Sequence, residues 1–155
     1  MRARPARGQS LVLLAVLIGV VVIAVLTFLA LGTLYLARSH ARRSLQAATA
    51  AGACRVDYES LPGGHLQLDA PAAIATTRAV FASALGLENF GLDASAAEIA
   101  GRAQIEVHNE VPWTSPYTGL THQAPTIAAV APIPVRLLFF AVEVPVMVET
   151  EVNAP

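Results

Sequence analysis

The sequence predicts an α+β chain: a long N-terminal transmembrane helix that continues outward, then a small domain with one helix packed on an antiparallel sheet. Three observations carry this. Residues 11–36 are apolar and hold no charge. The stretch behind them lacks proline and is dominated by strong helix formers, so nothing stops the helix there. Further on, apolar and polar side chains alternate with the period of two that marks strands.

Only Gly19, Thr27, Gly32, Thr33 and Tyr35 interrupt the apolar run. At ~1.5 Å per residue its 26 residues reach roughly 39 Å, more than a hydrocarbon layer of ~30 Å requires. A buried core helix is not apolar on every face for that length, and a 155-residue chain has little protein with which to surround one. The leader MRARPARGQS is short and basic, which points to a cytoplasmic N-terminus, though charge alone does not settle the topology. Arg38, His40, Arg42 and Arg43 flank the other end, so the positive-inside count is nearly tied. A cleaved secretory signal has an apolar region of only ~7 to 15 residues, so the helix is expected to stay in the mature protein.

The length allows this helix and one small domain of ~100 residues, not a multidomain enzyme. The net charge of −1 conceals a division: residues 1–43 hold six arginines and no acid, the rest four arginines and all eleven acids. An acidic domain is a poor partner for phosphates, which sets nucleic-acid binding aside. The absence of lysine reads as a coding bias. Cys54, the single cysteine, cannot close an intrachain disulfide, so the domain must fold by packing. It reads as a small buried helix residue, with a crosslink to a second chain as the alternative.

The three expected segments are a leader at 1–8, the helix and its extension at 9–54, and an extracytoplasmic domain at 55–155. Gly52 and the Leu61-Pro62-Gly63-Gly64 stretch end the first helix and turn the chain. Asp69 stands at an N-cap position with Pro71 in the first turn, which predicts a second helix to about Gly86. Its stripe of Ala73, Ile74, Val80, Phe81, Ala84, Leu85 and Leu87, interrupted by Thr77, needs a sheet to cover it. Residues 104–109 alternate as a strand, and Val142, Val144, Val146, Val148 and Val152 share one face opposite Glu143, Glu149 and Glu151. Pro145 argues for an edge or a bulge. Between these lie a turn-rich loop at 111–125, a strand pair around Pro132 and Pro134, and the apolar run 137–142. Six residues cannot cross a bilayer, so that run reads as a central strand under the second helix, with contact to the membrane surface as the alternative. The sheet is expected to have three to five strands.

No catalytic constellation can be assembled. His40, His65, His108 and His122 lack the spacings that bring two ligands to one metal, and most are expected in solvent. Glu106, Glu110 and the terminal glutamates read as a solvated strand face. Gly63 and Gly64 follow a proline and form a turn, not a phosphate cradle. Neither a metal nor a cofactor is expected. Trp113 and Tyr117 form a candidate contact loop, weighed against simple packing of a single tryptophan.

The string Arg7-Gly8-Gln9-Ser10-Leu11-Val12, the apolar helix behind it, and the alanine-rich stretch from Arg42 to Ala53 resemble the TadE-like family of minor pseudopilins, subunits of tight-adherence pili related to type IV pili. The match covers the first third of the chain. The resemblance implies cleavage after Gly8 by a prepilin peptidase, leaving Gln9 as the N-terminus and removing three arginines. It implies a noncatalytic subunit held in the inner membrane with its domain outside. Its partners would be other pilin or pseudopilin subunits and a pilus assembly platform, and it could enter or prime a surface pilus. Ala15 and Gly19, four apart, would permit close helix packing. The family usually has glutamate at the fifth position after the glycine; here it is Leu13, which points to a specialised initiating or tip subunit. The alternative is an uncleaved single-pass membrane protein whose domain binds a partner through Trp113 and Tyr117. A third reading is a membrane-anchored enzyme using His108 and Glu110.

Overall fold

The computed structural model describes residues 7–63, 65–87, 91–137 and 140–152. Most of the leader, Gly64 and residues 138–139 of the apolar run lie outside the described residues. The elements are α1 (Arg7–Ala53), a short 3-10 turn (Leu61–Gly63), α2 (Ala70–Gly86), α3 (Ala96–Arg102), β1 (Gln104–His108), β2 (Trp113–Thr114), β3 (Thr121–His122), β4 (Thr126–Arg136) and β5 (Ala141–Glu151). This is an α+β arrangement: a long apolar N-terminal helix, two further helices and an antiparallel sheet.

Helix α1 runs unbroken through two environments. Residues 11–29 are exposed all round. The hydroxyls inside the apolar part are satisfied locally, Thr27 donating to the Ile23 carbonyl at 2.8 Å and Thr33 to that of Ala30 at 2.9 Å. From Ala37 onward one stripe is buried: Ala37, Ala41, Ser44, Leu45, Ala48, Thr49 and Gly52, spaced by threes and fours so that they share a face. Arg38, Arg42, Arg43 and Gln46 lie on the other side and stay exposed. Small side chains let the helix lie close to α2 and the sheet. At Gly52 a Cβ would come 2.1 Å from Thr77 Oγ1 and 3.0 Å from both the Ala73 carbonyl oxygen and Ile127 Cδ1.

The main sheet has the order β1-β4-β5, all antiparallel. Register places Ile105 and Val107, then Ile127, Ala129, Ala131, Ile133 and Val135, then Val142, Val144, Val146 and Val148 on the face that meets the helices. The expected valine stripe of β5 is thus the packed face. The central strand, however, is β4, not the run 137–142. Of its described residues, Leu137 donates its N–H to the Phe140 carbonyl at 2.8 Å, and Ala141 and Val142 begin β5. The expected strand pair at Pro132 and Pro134 is also one strand. Pro132 lies opposite Pro145, and neither loses a bond, because in a non-hydrogen-bonded antiparallel pair the backbone nitrogens point away from each other. Those of Pro132 and Pro134 face the side where β1 has ended, its last pair being Gln104 with Val130. There residues 91–93 continue in its place, with Asp93 N–H on the Pro134 carbonyl at 3.0 Å and Arg136 N–H on that of Gly91 at 2.7 Å. Pro145 faces the open edge.

Helix α2 starts as expected, Asp69 accepting the Ala72 N–H at 3.1 Å with Pro71 in the first turn. Its buried face is Ala73, Thr77, Phe81 and Leu85, so Thr77 belongs to the core and does not merely interrupt it. Leu87 does not: it follows the last helical residue and is 82 % exposed. The sheet is covered by three helices, not one. Helix α3 was not anticipated, although Ser95 followed by Glu98 is a capping signature, and Ser95 Oγ accepts the Glu98 N–H at 3.2 Å. Cys54 is another correction. It lies just beyond the end of α1 and is exposed, not buried in the helix.

The Thr77 hydroxyl is buried, faces Gly52 and has no hydrogen-bond partner among the described residues. Gly52→Ala should therefore cost about 1–3 kcal/mol by overpacking. Thr77→Ala, which removes both the obstructing and the unsatisfied atom, should restore most of that loss in the double variant. Urea unfolding of the detergent-solubilised chain measures the cycle, and a G52A variant as stable as the parent would show that the helix contact is looser than described.

Candidate functional site

Two regions of the chain carry residues that packing of the domain does not explain. The first is the free half of α1. It is long and apolar enough to cross a membrane, and none of its most apolar window is buried by the rest of the chain. Eighteen large apolar or aromatic side chains between residues 11 and 36 are exposed. Leaving them in water would cost on the order of 25 kcal/mol, more than the ~5–15 kcal/mol that holds a whole domain together. Something apolar must cover them. Ala15 and Gly19 lie within this exposed half, and nothing approaches the Cβ direction of Gly19 within 4 Å. Gly8 and Gln9 fall in the first turns of α1.

The second region is at the opposite end of the sheet, where residues 111–125 fold back over the face of β5 that the helices do not cover. The two-stranded β2–β3 hairpin pairs Trp113 with His122 and Thr114 with Thr121. Its turn is built by Ser115, whose Oγ accepts the N–H groups of Tyr117 and Thr118, both at 3.1 Å. Gly119 closes it at a φ of 71°, a left-handed conformation that suits glycine.

Glu149 holds this hairpin down. It accepts hydrogen bonds from Ser115 Oγ on one oxygen, and on the other from Thr118 Oγ1 at 2.8 Å, with His122 Nε2 at 3.2 Å. Next along the same face, Glu151 Oε1 accepts the N–H groups of Gln123 at 2.9 Å and Ala124 at 2.7 Å, and its other oxygen is 3.6 Å from His122 Nδ1. Burial alone would raise the pKa of Glu149, but the Ser115 and Thr118 hydroxyls together with His122 outweigh it and hold the carboxyl below its ordinary range. For Glu151 the Ala124 and Gln123 amides do most of the lowering.

Trp113 stands between two imidazoles. Its ring is 3.8 Å from that of His108 at an interplanar angle of 12°, and 5.5 Å from that of His122 at 20°. The structure thus separates the two residues of the candidate contact loop: Trp113 is half-buried in this stack, while Tyr117 is 49 % exposed beside Leu120 at 60 %. His122 is buried and His40 and His108 are half-buried, so the expectation of mostly solvated histidines is corrected; His65 alone of the four is exposed. Glu149 is likewise not on a solvated face, its side chain being 6 % exposed. Strand alternation placed it opposite the valines correctly, but could not show that a hairpin returns to cover it. The proximity of Ser115 to Pro116 signals a turn; nothing local signals where that turn docks.

Chemically this is a clamp. A carboxylate whose oxygens are taken by the chain's own donors, and whose proton affinity is lowered, is poorly suited to act as a general base. Among the described residues no group of three or more His, Cys, Asp or Glu is placed to hold a metal ion. His108 and Glu110, the pair named for an enzyme, border an open cleft with Val107, Asn109 and Trp113. Asn109 itself is occupied structurally, its amide exchanging two hydrogen bonds with the Leu68 backbone at 2.9 and 3.0 Å.

Because both carboxyls titrate lower in the fold than in the unfolded chain, their stabilisation is complete above the unfolded value of ~4.3 and is lost as pH falls through the folded values. Trp113 is the only tryptophan, so its emission reports the hairpin directly. Acidification from pH 6 to 3 should shift that emission to the red. Glu149→Gln should weaken hydrogen-exchange protection of residues 113–122 already at neutral pH and shrink the acid response; an unaltered response would remove Glu149 from the clamp.

No protein-family model matches the chain, and no curated protein or solved structure is significantly similar to it.

Proposed function

We propose that the chain is a noncatalytic, single-pass membrane subunit of a pilus or related secretion apparatus, a minor pseudopilin whose long helix serves first as anchor and then as packing element. One observation carries this reading: the free half of α1 is apolar and exposed on every side, while the same helix continues into the domain by a small-residue face. A uniformly apolar rod can exchange lipid for neighbouring helices of the same kind at little cost, because the two surroundings are equally apolar. The leader supports it further. Arg7-Gly8-Gln9-Ser10 stands where a prepilin peptidase would act on the cytoplasmic side, with the domain beyond the membrane. Leu13, in the place of the family's usual glutamate, favours an initiating or tip role over a bulk one.

The distal hairpin supports an anchored partner-binding protein as the second reading, since Val111, Tyr117 and Leu120 are exposed apolar residues on a rigidly clamped loop. The two readings diverge at the N-terminus. Intact mass and N-terminal sequencing of the protein recovered from membranes of its own cells should give a start at Gln9. A start at Met1 or Arg2 would overturn processing after Gly8 and leave the uncleaved binding protein as the account.

A further inference from the structure

We propose that Tyr35, Arg38, Ser39 and Arg42 form a site for the phosphate of an anionic phospholipid at the C-terminal end of the apolar run. This rests on the membrane-spanning reading of α1 and adds to it a lipid class. The four residues recur at i, i+3, i+4 and i+7, so they share one face of the helix, where they line a shallow cleft. That face is turned away from the stripe of Ala37, Ala41, Leu45 and Ala48 that packs into the domain: Tyr35 is 74 % exposed, and Arg38 and Arg42 are exposed as well. Two guanidinium groups, a phenol and a hydroxyl can all donate hydrogen bonds into the cleft, and no acid lines it. The first acid of the chain is Asp57, and among the described residues neither arginine forms an ion pair. Like charges four apart on a helix repel each other, and an anion held between them removes that cost. The guanidinium fork matches the oxygens of a phosphate.

The depth of the cleft selects the source of that phosphate. A hydrocarbon layer of ~30 Å centred on the 26-residue run ends near Thr33 and Leu34. Tyr35 then stands at the boundary, where aromatic rings with a polar tip gather, and Arg38 stands ~7 Å beyond it in the headgroup layer. Arg42 is one turn further out. Helical side chains lean toward the N-terminus, which here is the membrane side, so its long stem carries the guanidinium back toward Arg38. On another flank of α1, Arg136 of β4 lines a cleft with Leu29, Ala30 and Thr33, so the domain also brings a charge to the level where the hydrocarbon ends. The two arginines of the Tyr35 cleft therefore face lipid phosphates. A carboxylate from the acidic domain of a second copy is the competing occupant, and it would have to descend into the headgroup layer to reach them.

The test titrates the detergent-solubilised full chain with short-chain phosphatidylglycerol or phosphatidylcholine and counts bound lipids by native mass spectrometry. Flotation of the same chain with phosphatidylcholine vesicles after a carbonate wash reports membrane insertion, and unchanged Trp113 emission certifies the fold of each variant. The parent should bind phosphatidylglycerol several-fold more tightly than phosphatidylcholine. Arg38→Gln and Arg42→Gln should each weaken phosphatidylglycerol binding about fivefold, the worth of one basic residue at an anionic surface, and leave phosphatidylcholine binding unchanged. Arg43→Gln removes the same charge from outside the cleft and should have little effect. Equal losses from all three substitutions would reduce the site to diffuse attraction and overturn it. Equal binding of the two lipids by the parent overturns it too, as does displacement of phosphatidylglycerol by an equal concentration of inorganic phosphate, which would make this a free-anion site. A dimer that Arg38→Gln disperses and phosphatidylglycerol does not would assign the cleft to a carboxylate of a second copy, again overturning the proposal. Flotation without a preference for phosphatidylglycerol leaves the membrane-spanning helix standing, whereas failure to float overturns the membrane reading itself.

Discussion

The architecture depends on how closely α1 approaches the domain that follows it. A helix made of large side chains along its second half would stand ~10 Å from its neighbours; one presenting Ala37, Ala41, Ser44, Ala48, Thr49 and Gly52 can come nearer and bury its backbone against α2 and the sheet. Gly52 is the tightest point, wedged against Thr77, the Ala73 carbonyl and Ile127. Further contacts act along the same line. Thr49 and Thr150 share a hydrogen bond of 2.7 Å that ties helix to strand, and Leu45 fills the core between them. The second half of the helix is therefore packed into the domain as part of its core.

This continuity orders the molecule along one axis. Strands β4 and β5 lie beside α1, with Leu137 near Thr33 at one end and Thr150 bonded to Thr49 at the other. Sixteen helical rises from Thr33 to Thr49 span ~24 Å, so Leu137 and the Glu149 clamp belong to opposite poles of a small domain. Apolar groups gather at the pole next to the free helix. At the other, a carboxylate, two hydroxyls and an imidazole pin a hairpin over the uncovered face of β5. An exposed strand edge or bare sheet face invites unwanted pairing, and Pro145 on the open edge together with the docked hairpin reduces both.

Local pattern revealed much of the fold. The long helix, its continuation, the capped second helix at Asp69 and the valine face of β5 all follow from interactions within a few residues, and all are present. The errors share a cause. Pro132 and Pro134 look like strand breakers, and only the absence of β1 beside them makes them compatible with a central strand. Cys54 looks like the last residue of a buried stripe, yet the helix has ended one residue earlier and turned it outward. Leu87 matches the apolar period of α2, but α2 stops at Gly86.

What the sequence determined by itself was the character of each segment: apolar all round at 11–36, small and helical to Ala53, alternating in the C-terminal strands. These are properties of side chains read at a fixed period, and no distant contact can alter them. What only the tertiary structure decided was which segments meet. It made Glu149 a buried clamp instead of a solvated strand residue, stacked Trp113 with two histidines from different strands, and set Arg136 and Leu137 beside α1. Each of these depends on chain closure over tens of residues, and on geometry that no local periodicity encodes.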